Sequence, residues 1–270
     1  MHLSDLNTGG LVLLGCGKMG SALLQGWLAN GVAAKAVTVL EPHPSAWLSS
    51  AGVRLNADLP PAPAMVILAV KPQMMGEALP SLQALGGGST VFVSIAAGKS
   101  LAMIEATLGA GTPVVRAMPN TPAAVGQGIT ALIGNAFVPA PALDLARRLM
   151  AAMGETVMLD DESQMDAVTG VSGSGPAYVF HLIEALADAG VAQGLPPQMA
   201  LKLARATVAG AGALAMAANE SPSQLRINVT SPQGTTAAAL KVLMDETNGF
   251  PALISHAVKA AADRSRELAQ

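Results

Sequence analysis

Short apolar runs punctuate the first half of the chain: Leu11-Val-Leu-Leu14, Ala36 to Leu40, Met65-Val-Ile-Leu-Ala-Val70 and Thr90-Val-Phe-Val-Ser94. Unbroken runs of this kind, without polar alternation, mark strands buried on both faces, as in a parallel sheet covered by helices. Between the first two runs, Ser21 to Asn30 has helical spacing. The last strands are read in Pro113 to Pro122 and in Gly128-Ile-Thr-Ala-Leu-Ile133, with a helix predicted from Pro141 to Met153. After Glu162 only helices are predicted. From Ser174 to Val191 the charged or His positions are His181, Glu184 and Asp188, one narrow stripe on an apolar cylinder. Leu201 to Asn219 carries only Lys202 and Arg205 as charges, with Gly210 and Gly212 predicted to allow close helix contact. Helices this apolar need more cover than about 100 residues of a monomeric helical domain supply, which predicts an obligate dimer through this half. His181 and His256 are read as helix-packing residues.

The two halves meet at Thr169-Gly-Val-Ser-Gly-Ser-Gly-Pro-Ala-Tyr178, where a helix is predicted to start at Ser174. The small residues Ser172 to Gly175 let the backbone approach either another helix or a ligand, and Pro176 suits a first helical turn. Both readings stay open on these residues alone.

Candidate chemistry begins at the first strand. Gly15-Cys-Gly-Lys-Met-Gly20 is a G-x-G-x-x-G between a strand and a helix, the setting of a dinucleotide site. Gly15 permits the tight turn, Gly17 lets backbone approach a pyrophosphate, Gly20 lets helix and strand pack, and the helix N-terminus offers N–H groups to the anion. Cys16 is read as a small turn residue. Glu41 closes the second run about 20 residues on, where an acidic side chain takes the adenosine ribose 2′-hydroxyl, and no Arg follows closely enough to hold a 2′-phosphate. Pro42-His-Pro-Ser45 makes a turn with His43 as a solvated residue, and Asn56 and Asp58 lie in the next loop without decisive context. The ends of the runs at Lys71-Pro72 and Ile95-Ala-Ala-Gly98 face the cofactor, because ligands of open α/β sheets bind beyond the carboxyl ends of strands. Gly98-Lys99-Ser100 is no triphosphate loop, since Val93 stands where that motif requires Gly. Arg116 could hold a phosphate or a carboxylate, with surface pairing as the plainer alternative.

In the helical half, Ser221-Pro-Ser-Gln224 has the form of a capping box. A further helix is predicted from near Gly234 through Ala237 to Met244. The N–H groups of Gly234, Thr235 and Thr236, with two hydroxyls, form a candidate carboxylate pocket, a plain capped helix being the alternative. Asn228-Val-Thr230 matches a glycosylation sequon, which means nothing without secretion.

Composition narrows the classes. At 270 residues, 51% hydrophobic and 12% charged, the chain can bury a large core and is divided into two domains, 1–160 and 161–270. A net charge of -3 and 3% aromatics give neither a basic face nor stacking platforms, so no nucleic-acid partner is expected. The single cysteine allows no internal disulfide. Leu13-Leu-Gly-Cys16 superficially resembles a lipobox, but Met1 to Gly10 carries Asp5 and no Lys or Arg, and Leu11 to Leu14 is too short for a signal sequence. Ala206 to Ala218 is too short to span a bilayer, so no membrane segment is expected and the chain is read as cytoplasmic.

Gly15-Cys-Gly-Lys-Met-Gly20, Leu68-Ala-Val-Lys-Pro-Gln73, Arg116-Ala-Met-Pro-Asn-Thr-Pro122, Thr169 to Tyr178 and Val229-Thr-Ser-Pro-Gln-Gly-Thr-Thr236 together resemble pyrroline-5-carboxylate reductase, in order and over nearly the whole chain. The last two motifs are specific to that family. The resemblance implies a Rossmann-like α/β dinucleotide-binding domain followed by an all-helical dimerisation domain. It also implies NADPH or NADH as cofactor, 1-pyrroline-5-carboxylate as substrate, proline as product, and homodimers that can assemble into decamers. By the same resemblance Leu14, Gly15, Cys16, Gly17, Lys18, Met19, Asn56, Ala69, Val70, Lys71, Pro72, Ile95, Ala96 and Ala97 contact the cofactor, Asn56 across a loop shortened before Met65. Glu162, Asn228, Ser231, Gly234, Thr235 and Thr236 bind the substrate, and Glu162, Ser172, Ser174 and Thr236 are the candidate catalytic residues. No metal is implied. One departure is Gln233, where the family usually has Gly.

The chemistry is coherent with those residues. An imine carbon accepts hydride only when its nitrogen is protonated, so a carboxylate near the nitrogen and an anion clamp on the substrate carboxylate both help. Glu162 and the 234–236 amides fit those roles. The nearest enzymatic alternative is a β-hydroxyacid dehydrogenase, whose glycine pattern Gly170, Gly173 and Gly175 satisfy. Its catalytic Lys and Asn positions, however, hold Val179 and Ile183. An NAD(P)-responsive regulator without catalysis is the other alternative, and it has no need of the second anion pocket.

Overall fold

The computed structural model describes residues 6–268; Asp5, invoked above against a leader, lies outside them. The chain forms two units, Met1–Gly173 with Ala261–Gln270, and Ser174–Ala260.

The first unit is built on an eight-stranded sheet. Its strands are β1 Leu11–Leu14, β2 Val37–Leu40, β3 Arg54–Leu55, β4 Met65–Leu68, β5 Val91–Ser94, β6 Val114–Met118, β7 Gly128–Gly134 and β8 Gly154–Met158, in the spatial order β3-β2-β1-β4-β5-β6-β7-β8. The pairs from β3 to β6 are parallel, β7 runs antiparallel to β6, and β8 is parallel to β7. The helices are α1 Leu6–Gly9, α2 Lys18–Ala29, α3 Ala46–Ser50, α4 Met75–Ala78, α5 Leu101–Leu108, α6 Ala140–Ala151 and α7 Met165–Val168. Alternate strand residues divide between two cores. Leu11, Leu13, Val37, Val39, Met65 and Ile67 pack with Trp27, Leu145 and Leu149 on one face. Val12, Val66, Leu68, Phe92 and Val114 pack with Met75, Leu82 and Ile104 on the other. This two-sided burial explains why the strands read as unbroken apolar runs. The buried indole of Trp27 donates to the Leu149 carbonyl at 2.9 Å, so its burial leaves no donor unmet. The candidate lipobox is an interior strand of the sheet and its turn, with Leu13 and Leu14 buried.

Two strands escaped the sequence reading: β3, of two residues, and β8, which follows α6 directly. The helix expected to start at Ser174 does so, with Ser174 as the N-cap of the helix beginning at Gly175. Met165–Val168 is already α-helical and Thr169–Gly173 forms a π-helical turn, so the glycine-rich stretch is helical rather than a loop. A Cβ on Gly173 would lie 2.6 Å from Met118 Cε, the flexible end of that side chain.

The second unit contains α8 Gly175–Ala192, α9 Pro197–Ala217, α10 Pro222–Asn228, α11 Thr235–Leu243 and most of α12 Phe250–Leu268. Gly190 lets α8 and α9 close into a hairpin, since a Cβ there would meet Ala200 Cβ at 3.2 Å. Gly210 and Gly212 were expected to serve the same end, but an added Cβ at either would meet no atom of another element within 4 Å among the described residues. His181 and His256 are likewise exposed rather than packed, His181 pairing only with Glu184 at 3.2 Å. Large apolar side chains stand in solvent along these helices, with Met216 and Val242 both 72% exposed. Among the described residues α9 alone is long and apolar enough to cross a membrane. The expectation of no such segment rested on the shorter uncharged run, whereas the helix begins at Pro197 and takes in Lys202 and Arg205.

Candidate active site

The candidate dinucleotide turn lies at the carboxyl edge of β1. Gly15 has φ +88, and a Cβ there would sit 2.9 Å from Val70 Cγ1 and 3.0 Å from the Ala69 carbonyl. That contact is how the Ala69 to Pro72 loop comes to border the glycine turn. A Cβ on Gly20 would lie 2.5 Å from the Gly15 oxygen, so α2 can approach the turn only without one. Gly17 differs, because nothing lies within 4 Å of the Cβ it lacks. It caps α2, whose first-turn N–H groups from Lys18 onward have no intrahelical acceptor. Open space over a helix start is the cradle a pyrophosphate fills, so these residues fit a dinucleotide. Lys18 and Lys71 are exposed beside half-buried Met19, Val70 and Pro72. Just beyond β5, Ile95 and Ala97 are half-buried, whereas Ala96 turns its methyl into the core and its N–H donates to Ser94 Oγ at 3.3 Å.

Cys16 is buried in this turn, and Ser21 Oγ donates to its carbonyl at 2.8 Å. Burial raises the thiol pKa, the Ser21 hydrogen bond opposes this, and the Glu41 charge adds to the rise. The thiol therefore stays protonated, in keeping with a turn residue rather than a nucleophile. Glu41 reaches back from the end of β2, where Oε2 accepts the Cys16 N–H at 2.7 Å and Oε1 the His43 N–H at 3.0 Å. Asn56, which had no decisive context in the sequence, grips Glu41 from the side: its Oδ1 accepts the Glu41 N–H and its Nδ2 donates to the Glu41 carbonyl, both at 2.9 Å. Ser45 caps α3 through Leu48 N.

A second cluster gathers around Glu162. Asp161 caps the turn Glu162–Gln164 in a full capping box, and its hydrogen bonds from Ser163 hold its carboxyl below the usual range. Glu162 Oε1 accepts from Arg116 Nη1 and from the Leu101 N–H at the start of α5, each at 2.9 Å. Arg116 is buried, with a side chain 7% exposed against 30% for Glu162, so the surface pairing considered for it does not hold. The carboxylate balances a buried guanidinium and a helix N-terminus at once. Among the described residues both donors converge on Oε1. Ser172 Oγ donates back to the Val168 carbonyl at 3.1 Å, and half-buried Ser174 precedes α8 without a side-chain cap.

The third group lies in the second unit. Ser221 Oγ accepts the Gln224 N–H, but the Gln224 side chain turns forward to Asn228 Oδ1 at 2.8 Å instead of closing the expected capping box. Exposed Ser231 then opens a tight turn, its carbonyl accepting the Gly234 N–H at 3.0 Å. This corrects the expected anion clamp, because the Gly234 amide is spent on its own turn. The first-turn donors of α11 are therefore those of Thr235, Thr236 and Ala237. Gln233 adopts φ +59, the left-handed region in which an L-residue costs about 1 kcal/mol and glycine almost nothing. The chain keeps the loop backbone that a glycine would favour.

Residues 162–268 match the family described as pyrroline-5-carboxylate reductase dimerisation, and residues 11–98 the one described as NADP oxidoreductase, coenzyme F420-dependent. The pyrroline-5-carboxylate reductase of Pseudomonas aeruginosa is 42% identical over 271 residues, covering 98% of each chain. That of a Synechocystis species is 44% identical over 268 residues, covering 96% of this chain and 97% of the relative. Among solved structures, a pyrroline-5-carboxylate reductase from Coxiella burnetii superposes with a TM-score of 0.91 at 33% identity, covering 97% of this chain and 99% of that one. Pyrroline carboxylate reductase from Plasmodium falciparum with NADP bound gives 0.85 at 28% identity, covering 98% and 99%. The chain belongs to the pyrroline-5-carboxylate reductase family.

Proposed function

We propose that this chain reduces 1-pyrroline-5-carboxylate to L-proline with NADPH or NADH, the last step of proline biosynthesis. The observation that carries the reading is similarity at 42% identity, over 98% of the chain, to an enzyme named for that activity. Steady-state consumption of reduced nucleotide in the presence of 1-pyrroline-5-carboxylate tests it, and a regulator would bind nucleotide without turnover.

A bound nicotinamide nucleotide supplies the hydride. The turn from Leu14 to Met19 and the start of α2 hold its pyrophosphate, Glu41 its ribose, and the loops Ala69 to Pro72 and Ile95 to Ala97 border the rest. Glu162 offers Oε2 to the N–H of the protonated imine, its other oxygen being fixed by Arg116 and Leu101. That negative charge favours the protonated, electrophilic form of the substrate. The amides and hydroxyls of Thr235 and Thr236 hold the substrate carboxylate, with Asn228 and Ser231 beside them. Ser172 and Ser174 are the further catalytic candidates in this reading.

Glu41 bears on cofactor choice, since a carboxylate accepts a ribose hydroxyl and repels a 2′-phosphate. Glu41→Ala is therefore expected to move the ratio of kcat/KM toward NADPH by about ten-fold, measured with both nucleotides. An unaltered ratio would place Glu41 outside the pocket.

Residues 161–270 form the substrate and dimerisation domain in this reading, and the exposed apolar helices are covered by a second copy. The family matched by residues 162–268 self-associates through this region. Light scattering at micromolar concentration is expected to give a dimer or a decamer of such dimers, and a stable soluble monomer would contradict this. A cytoplasmic location belongs to the same proposal.

A further inference from the structure

We propose that Asn56 is a positioning residue for cofactor selection, acting through Glu41 and not through the nucleotide. The proposal rests on the reading of the Gly15 to Gly20 turn as the dinucleotide site. The side-chain amide of Asn56 is engaged in both directions, accepting the Glu41 N–H and donating to the Glu41 carbonyl at 2.9 Å each. Its own backbone is equally committed, with φ 48 and its N–H on the Val39 carbonyl at 2.8 Å. Asn is one of the few non-glycine residues that tolerate that left-handed backbone, and Gly is the other natural choice. The clamp fixes the peptide units on either side of the Glu41 Cα. The carboxylate is then held by the Cys16 N–H at 2.7 Å and the His43 N–H at 3.0 Å.

The consequence is a carboxylate with little freedom to withdraw. A glutamate on a mobile loop end could swing into solvent when a 2′-phosphate arrives, and discrimination would be weak. Pinned at its backbone by Asn56 and at its head by Cys16, Glu41 stays where the ribose hydroxyl is read, so like-charge repulsion is felt in full. Asn56 thus sharpens the preference for NADH over NADPH.

The test is a double-mutant cycle read by direct binding, with NADH and NADPH titrated by nicotinamide fluorescence into the intact protein. Asn56→Gly removes the amide and keeps the left-handed backbone. Asn56→Gly is expected to shift the NADPH to NADH affinity ratio toward NADPH by about five-fold or more. In a Glu41→Ala background the same change is expected to move the ratio by less than about two-fold. An unchanged ratio in Asn56→Gly, or a shift that persists in full without Glu41, would overturn the proposal. Wild-type protein that binds neither nucleotide would remove the underlying dinucleotide reading, and the proposal with it.

Discussion

Replacing Gly17 with Val is expected to weaken binding of both NADH and NADPH by about 100-fold or more, a loss of about 2.7 kcal/mol, while the protein stays folded. The fold survives because a Cβ at Gly17 meets nothing within 4 Å, and φ -67 lies in a region open to any L-residue. In the proposed function the same open space is where the pyrophosphate approaches the backbone, so the valine methyls are expected to occupy the ligand's position and nothing else. Its neighbours behave differently. A side chain on Gly15 would strike Val70 and Ala69, and one on Gly20 would strike the Gly15 carbonyl, so those substitutions are expected to damage the fold before binding is reached. Fluorescence titration alongside thermal unfolding checks the claim. A folded Gly17→Val protein with wild-type affinity would show that the turn does not hold the cofactor.

The second large effect concerns Glu162. Glu162→Ala is expected to cost about 2–3 kcal/mol of stability, because it strands the buried Arg116 charge and the Leu101 N–H together. It is also expected to lower kcat/KM by about 100-fold or more through loss of the charge that the proposed function sets against the imine. Glu162→Gln separates the two contributions. The amide oxygen still accepts from Arg116 and Leu101, so much of the stability returns, but a neutral amide does not stabilise a protonated imine and turnover stays low. Denaturant unfolding and steady-state kinetics on both variants read the two quantities independently. A Glu162→Gln enzyme with wild-type turnover would assign Glu162 a purely structural role.

What the sequence made legible followed from local chemistry. Apolar runs located β1, β2, β4 and β5 to within two residues, because burial on both sheet faces leaves no polar positions to blur them. β8 was missed for the opposite reason: Gly-Glu-Thr-Val-Met lies at the sheet edge with Glu155, Val157 and Met158 exposed, and its composition does not separate it from a loop. The reversed direction of β7 is a property of pairing with β6, to which no single segment testifies. The glycine turn and the helix start near Thr235 were readable because their spacing is fixed within a few residues, whereas α2 begins at Lys18, three residues before the Ser21 expected. The partners of the charged groups were not. Arg116 and Glu162 are 46 positions apart, and Asn56 and Glu41 are 15 apart, so only the folded sheet brings them together. The Gly234 amide shows a subtler limit. Helix geometry alone counts it as free, whereas the tight turn from Ser231 uses it.

Turnover of 1-pyrroline-5-carboxylate by the purified wild-type chain, followed by nucleotide absorbance and by proline formation in the same sample, tests the central claim most directly. The account predicts saturable oxidation of NADH or NADPH matched mole for mole by proline. Nucleotide binding without oxidation, or oxidation without proline, would contradict it.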